Sequence, residues 1–174
     1  MHSQLMQLAQ TVLAAAKRHN LPIVTAESCT AGKLAALLSE APGAAEFLHG
    51  GVVAYTKASK SKLLGVSATL LKAKGAVCSD VAAAMAQGAL SRSPADVAVA
   101  ITGVAGPDPD EDGNPVGRVC IAIARSGRAP ITIEKQYGDL GRGDIQSHAM
   151  AEALHELIRV FEDDSSAALR RAVS

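Results

Sequence analysis

Leu21-Pro22-Ile23-Val24-Thr25-Ala26-Glu27-Ser28-Cys29-Thr30-Ala31-Gly32-Lys33-Leu34-Ala35-Ala36-Leu37-Leu38 is the stretch on which the fold turns. Its first four residues have the apolar, β-branched content of a short buried strand, and residues 33–38 follow helical spacing. Between them stand hydroxyls, a thiol and a carboxylate. At such a strand-to-helix junction the first N–H groups of the helix lack intrahelical partners and the helix dipole adds partial positive charge, so an anion or oxyanion is welcome there. The plainer reading is that Ser28 or Thr30 caps the helix.

Outward from that junction the chain alternates between helix and strand patterns. Before it, Leu5, Leu8, Val12, Leu13 and Ala16 form one helical stripe, with Ser3 as the expected cap and His19-Asn20 as the end. After residues 33–39, Ala41-Pro42-Gly43 breaks the helix, a short turn surrounds Phe47, and Gly50-Gly51-Val52-Val53-Ala54-Tyr55 reads as a second strand. Two short helices, 57–64 and 68–74, are separated by Gly65-Val66-Ser67 and closed by Gly75. Ser79 is expected to cap an alanine-rich helix over 80–91, apolar nearly all round and so packed between other elements. Val97-Ala98-Val99-Ala100-Ile101 is a continuous apolar strand of the kind covered on both faces. Residues 118–124 and 131–137 make two further strands, joined by the hairpin turn Arg125-Ser126-Gly127-Arg128 that leaves one sheet edge antiparallel. A last helix opens at Gly138-Asp139-Leu140-Gly141-Arg142-Gly143 and turns Ile145, Ala149, Leu154, Leu157, Ile158 and Phe161 toward the core. The prediction is one α/β domain over residues 1–162, a three-layer α/β/α sandwich with a mixed, mostly parallel central sheet. A frayed or disordered tail is expected over 163–174.

Composition narrows the partners. Lys plus Arg equals Asp plus Glu at 17 each, so no net field steers the protein onto nucleic acid or an anionic membrane. Aromatic residues make up 2% of the chain, too few to build a stacking surface for single strands. Cys29, Cys78 and Cys120 show no paired spacing, which points to neither a zinc site nor a disulfide framework and fits a reducing cytosol. With no apolar run of spanning length, the expectation is a cytoplasmic protein with no nucleic-acid and no membrane partner. Alanine-rich helices and an open sheet edge favour a homo-oligomer, a dimer first.

Three further places bear chemistry. Tyr55-Thr56-Lys57-Ala58-Ser59-Lys60 leaves the second strand at its carboxyl end, where ligands of α/β sheets gather, and a lysine near a serine serves as its base once burial lowers its pKa. Thr102-Gly103-Val104-Ala105-Gly106-Pro107 follows the central strand as a phosphate-cradling loop would, though it is neither a Walker motif nor a dinucleotide fingerprint. Arg142 stands in a glycine-rich segment before a helix, where its fork suits a phosphate or carboxylate. Asp108-Pro109-Asp110-Glu111-Asp112-Gly113 imitates half a calcium loop, but its twelfth position is Val119, so an exposed acidic loop is expected. His148 and His155 are two turns apart, too far for a shared metal on spacing alone. No metal is expected.

Taken together, these motifs resemble the C-terminal domain family of the competence/damage-inducible protein CinA, which includes stand-alone nicotinamide-nucleotide amidohydrolases. The resemblance runs from about residue 5 to 161 and rests on Thr25-Ala26-Glu27-Ser28-Cys29-Thr30-Ala31-Gly32, Tyr55 with Lys60, Thr102-Gly103-Val104-Ala105-Gly106-Pro107 and Pro115-Val116-Gly117. It implies hydrolysis of nicotinamide mononucleotide to nicotinic acid mononucleotide and ammonia, without a cofactor. Residues alone do not choose between Ser28 and Cys29 as nucleophile; the resemblance favours Ser28. It implies Lys60 as base with Tyr55 as relay, N–H groups of Cys29, Thr30, Ala31 and Gly32 for the oxyanion, and Glu27, Thr102, Gly103, Ala105, Gly106 and Arg142 around the substrate. The family usually has two glycines where this chain has Ala31-Gly32, and a second arginine where it has Gln146. A nucleotide-binding module without turnover and an amidase for another small amide are the rival readings.

Overall fold

The computed structural model describes residues 1–172, with side chains through residue 163. The elements in chain order are α1 (His2–His19), β1 (Ile23–Glu27), α2 (Lys33–Ser39), α3 (Ala44–Phe47), β2 (Leu48–Val53), α4 (Lys57–Leu64), α5 (Ala68–Lys74), α6 (Ser79–Ser91), β3 (Val97–Gly103), β4 (Arg118–Arg125), β5 (Ile131–Gln136) and α7 (Arg142–Ala172). The strands form one sheet in the order β2-β1-β3-β4-β5. It is mixed, as expected: β2, β1 and β3 run parallel, while β4 and β5 add antiparallel neighbours at one side.

The alternation of side chains along the central strands decides what covers each face. In β3, Val97, Val99 and Ile101 join a core made with α1, α2, α3 and α7, and in β4 Val119, Ile121 and Ile123 do the same. The intervening Ala98, Ala100, Ala122 and Ala124 face the other way, against α4, α5 and α6. Small residues on that face let the alanine-rich α6 come close. A Cβ added at Gly88 of α6 would lie 1.9 Å from the Leu64 carbonyl oxygen, so α4 and α6 touch backbone to backbone. That closeness fixes α4, which carries Lys60, against α6, which itself lies on the sheet.

Several boundaries differ from the sequence pattern. Helix α1 begins at His2 with Met1 in the cap position, so Ser3 lies inside it and caps nothing. Ser79 is likewise the first residue of α6 rather than its cap, a place taken by Cys78. Strand β2 stops at Val53, which leaves Tyr55 in the loop before α4, and β3 continues through Thr102 and Gly103, so the first two residues of the glycine-rich segment are paired strand. Helix α7 continues to Ala172 although the apolar stripe ends at Phe161. The tail expected over 163–174 falls mostly on side chains and residues outside those described.

Candidate active site

Strand β1 does not end where its side chains change character. The Ser28 N–H donates to the Ile101 carbonyl at 2.9 Å, one step beyond the β1–β3 ladder, so the nucleophile candidate is seated on the rigid sheet. The chain then turns through Ala31 and Gly32, both left-handed at φ 51° and 89°. A left-handed alanine is strained by about 1 kcal/mol relative to glycine, which explains in physical terms why a glycine pair suits this turn.

Neither Ser28 nor Thr30 caps α2. Glu27 does: its carboxylate accepts from the N–H groups of Gly32 at 3.0 Å, Leu34 at 3.0 Å and Ala35 at 2.9 Å, and from the Thr25 hydroxyl at 3.1 Å. The positive end of the helix is therefore already neutralised by the protein's own anion. This corrects two expectations. Glu27 is 1% exposed with both oxygens engaged, so it braces the junction and offers no free oxygen to the cavity. Gly32 spends its N–H on Glu27, and Ala31 spends its own on the Ser28 carbonyl at 3.0 Å, so neither serves an oxyanion. Among the described residues no other residue accepts from the N–H groups of Cys29 and Thr30, the former meeting only its own thiol.

Lys60 reaches Ser28 from α4. Its Nζ lies 2.7 Å from Ser28 Oγ, 3.0 Å from the Ala54 carbonyl oxygen and 3.4 Å from that of Tyr55. The side chain is fully buried, and among the described residues it has no ion-pair partner. Burial without a counter-charge disfavours the ammonium, pulling the pKa from its ordinary 10.5 to about 8. A neutral Nζ can direct its two hydrogens at the two carbonyls and its lone pair at the serine proton. Cys29 borders the same cavity but packs in the core shared with α1 and α7, and burial pushes its thiol up to about 12. A thiol held protonated is a poor nucleophile, which favours Ser28.

Ser28 and Lys60 open into a cavity of about 410 Å³ at the carboxyl ends of the parallel strands. The cavity gathers Tyr55, Thr102, Gly103, Ala105, Gly106 and Arg142 on its walls, so residues from four distant stretches meet in one place. Their roles differ from the expected ones. The Tyr55 phenol is exposed and accepts from Arg142 Nη1 at 3.3 Å; it is the Tyr55 carbonyl that faces Lys60, so the phenol relays no proton between Ser28 and Lys60. Thr102 is fully buried and donates its hydroxyl to the Ala76 carbonyl at 2.9 Å, which ties β3 to the loop before α6. Gly103 lies in the β3–β4 ladder, where a Cβ would come within 2.8 Å of the Arg118 carbonyl oxygen. Gly106, at φ 87°, presents its carbonyl to Arg142 Nη2. The N–H groups of Ala105 and Gly106 have no acceptor among the described residues.

Sequence reasoning missed the acidic wall. Asp108, Asp110, Glu111 and Asp112 line the same cavity as Ser28. Lys57 bridges them to α4, with Nζ 2.9 Å from Glu111 and 2.6 Å from Asp112, and Asp112 also accepts from the Ala76 N–H at 3.0 Å. Lys57 holds the Asp112 carboxyl below its ordinary value. Lys57 and this loop were both visible as charged, but nothing local links positions 55 residues apart. Gln146 is corrected too: it is 4% exposed and donates to the Cys29 carbonyl, so it does not face a phosphate in the place of an arginine. Among the described residues no group of three His, Cys, Asp or Glu side chains is arranged to hold a metal, and no helix is long and apolar enough to cross a membrane.

A buried serine–lysine pair at the carboxyl edge of a three-layer α/β/α domain, faced by an arginine across an open cavity, defines the class of site. The chain belongs to the CinA C-terminal domain family, whose model matches residues 5–161. It is 50% identical over 139 residues to a CinA-like protein of Mycolicibacterium vanbaalenii, a match covering 80% of this chain and 33% of that protein. The chain thus spans about a third of the length of the curated relatives it matches. Among solved structures, the competence/damage-inducible protein CihA of Agrobacterium tumefaciens is 38% identical with a TM-score of 0.86, over 90% of this chain and 94% of that one. A CinA superfamily protein of Escherichia coli is 36% identical with a TM-score of 0.86, over 90% of each.

Proposed function

We propose that this chain hydrolyses the carboxamide of nicotinamide mononucleotide to nicotinic acid mononucleotide and ammonia. The observation that carries the reading is the 2.7 Å contact between Ser28 and a buried Lys60 that has no ion-pair partner among the described residues. Lys60 in its neutral form accepts the serine proton as Oγ adds to the amide carbon. Charge developing on the amide oxygen meets the open N–H groups of Cys29 and Thr30. Lys60, now an ammonium, gives its proton to the departing nitrogen, and ammonia leaves an acyl ester on Ser28. A water molecule then attacks the ester, Lys60 takes its proton, and the proton returns to Ser28 Oγ as the acid departs.

At the other end of the cavity, Arg142 and the free N–H groups of Ala105 and Gly106 hold the phosphate, and their binding energy positions the amide at the serine. The resemblance to nicotinamide-nucleotide amidohydrolases supplies the substrate, and the cytoplasm is where this salvage of pyridine nucleotide would run. The exposed edge strand β2 and its Val53, 46% exposed, suit a homodimer, which a monomer mass in light scattering would dismiss. Incubating the purified chain with the mononucleotide should release ammonia and nicotinic acid mononucleotide in equal amounts. Tight binding without ammonia would instead mark a nucleotide-binding module, and turnover of other amides alone would move the substrate.

A further inference from the structure

Gln146 is buried beside the nucleophile, and the chemistry above gives it nothing to do. It reaches across from α7, where its Nε2 donates to the Cys29 carbonyl at 2.7 Å and its Oε1 accepts from Lys33 Nζ at 2.5 Å. A lysine ammonium only donates, so Oε1 must face Lys33 and Nε2 must face the carbonyl; Lys33 decides which way the amide is turned. The Cys29–Thr30 peptide is trans and planar, so its C=O and N–H point to opposite sides. Drawing the carbonyl toward α7 therefore aims the Thr30 N–H away from α7. The preceding peptide is held in the same manner, with the Ser28 carbonyl accepting from the Ala31 N–H at 3.0 Å and the Cys29 N–H left pointing the other way. Among the described residues neither of these N–H groups is taken by another residue.

We propose that Gln146 is a positioning residue: it orients the Cys29–Thr30 peptide so that the N–H groups after Ser28 face the oxyanion, and Lys33 sets the orientation of its amide. The proposal rests on Ser28 as nucleophile. Three variants separate a donor from mere filling. Gln146→Met keeps the length and loses the donor, Gln146→Glu sets an acceptor against the carbonyl, and Gln146→Arg retains a donor. Exposed Lys33 supplies a second series that leaves the core untouched, because Lys33→Met frees the amide to flip and Lys33→Glu favours the wrong flip.

Two readouts are needed: kcat and KM for the mononucleotide, and the rate at which a small sulfonyl fluoride labels Ser28, followed by intact mass with Ser28→Ala as blank. Loss of one oxyanion donor costs about 100–1,000-fold in kcat, and a donor misaimed rather than removed should cost about 10–100-fold. Gln146→Met should fall in that range, Gln146→Glu further, Gln146→Arg within about threefold of wild type, and KM should stay within about twofold throughout. Lys33→Glu should be slower than Lys33→Met, and labelling should slow in the same orders. Wild-type rates in Gln146→Met and Gln146→Glu, a Gln146→Arg as slow as Gln146→Met, or a change confined to KM would each overturn the proposal. If wild type is labelled at Ser28 yet leaves the mononucleotide intact, the substrate reading fails while the labelling series still decides on Gln146. A Ser28 that takes no label and turns over nothing sinks both.

Discussion

The two ends of the cavity are built on opposite physical terms. At the inner end Ser28 is 6% exposed and Lys60 is fully buried, held by sheet backbone on one side and by carbonyls on the other. At the outer end Tyr55 is 55% exposed, Arg142 lies at the surface, and the acidic loop is fixed by its ion pairs to Lys57. Excluding water is what moves the lysine pKa, so the inner end is where a base active near neutral pH can exist. The outer end keeps its charges solvated, as suits groups that recognise a charged ligand and then release it. Rate should therefore live at one end and discrimination at the other, and substitutions should divide along that line.

The largest effect belongs to the nucleophile. Ser28→Ala should lower kcat by about four to six powers of ten with binding largely intact, while Cys29→Ala should keep turnover within about tenfold. Ammonia release and a mononucleotide binding titration check both, and the opposite pattern would shift the nucleophile by one residue.

Lys60→Met comes next, and it should do two things at once. Turnover should fall by about 100–10,000-fold, in the range of a lost general base. Stability at pH 7 should rise by about 1–3 kcal/mol in urea unfolding, because an uncompensated buried ammonium is removed. The sign follows from the shift: the folded value is about 8 and the ordinary one 10.5, so between them the unfolded chain holds a proton that the folded chain has shed. Measured as the difference from Lys60→Met, wild-type stability should thus climb with pH through that window and lose the contribution as pH falls through 8, while the variant carries the baseline set by other groups, such as the Cys29 thiol that burial pushes up. In wild type, kcat/KM should rise about tenfold per unit below that pKa and level off above it.

Much of the inner end was legible in the sequence because it is written locally. An apolar strand, a serine and a helical run in succession place Ser28 at a strand end, and Lys60 lies on a helix that follows the next strand of the parallel set. The alternation of Val97, Val99 and Ile101 with Ala98 and Ala100 reads directly as two covered faces. What could not be read was which polar group meets which. Nothing near Glu27 announces that it, rather than Ser28 or Thr30, takes the α2 N–H groups, since that depends on the backward turn at Ala31 and Gly32. The acidic loop looked solvated because its partner Lys57 is remote in sequence, and Gln146 lies 117 residues from the carbonyl it holds. Hydrogen-bond pairing across the sheet end is a tertiary property, and periodicity carries no record of it.

The smallest effects should appear at the outer end, where a ratio reads them best: kcat/KM for the mononucleotide over that for its phosphate-free riboside. Arg142 already directs Nη2 at the Gly106 carbonyl and Nη1 at the Tyr55 phenol, which holds the guanidinium plane across the cavity mouth and leaves further N–H donors for phosphate. Charge-assisted hydrogen bonds contribute about 1.5–3 kcal/mol each, so Arg142→Ala should shrink the ratio by about 10–100-fold. Arg142→Lys keeps the charge without the fork and should fall between. Tyr55→Phe removes only the oxygen that accepts from Nη1, so the ratio should drop by about two- to fivefold, with kcat for the riboside unchanged. That last variant separates two roles for one phenol. A relay between Ser28 and Lys60 would lower kcat for both substrates alike, whereas an anchor for Arg142 lowers only the preference for phosphate. Equal losses on both substrates would place the phenol at the inner end and erase the division between the two ends of the cavity.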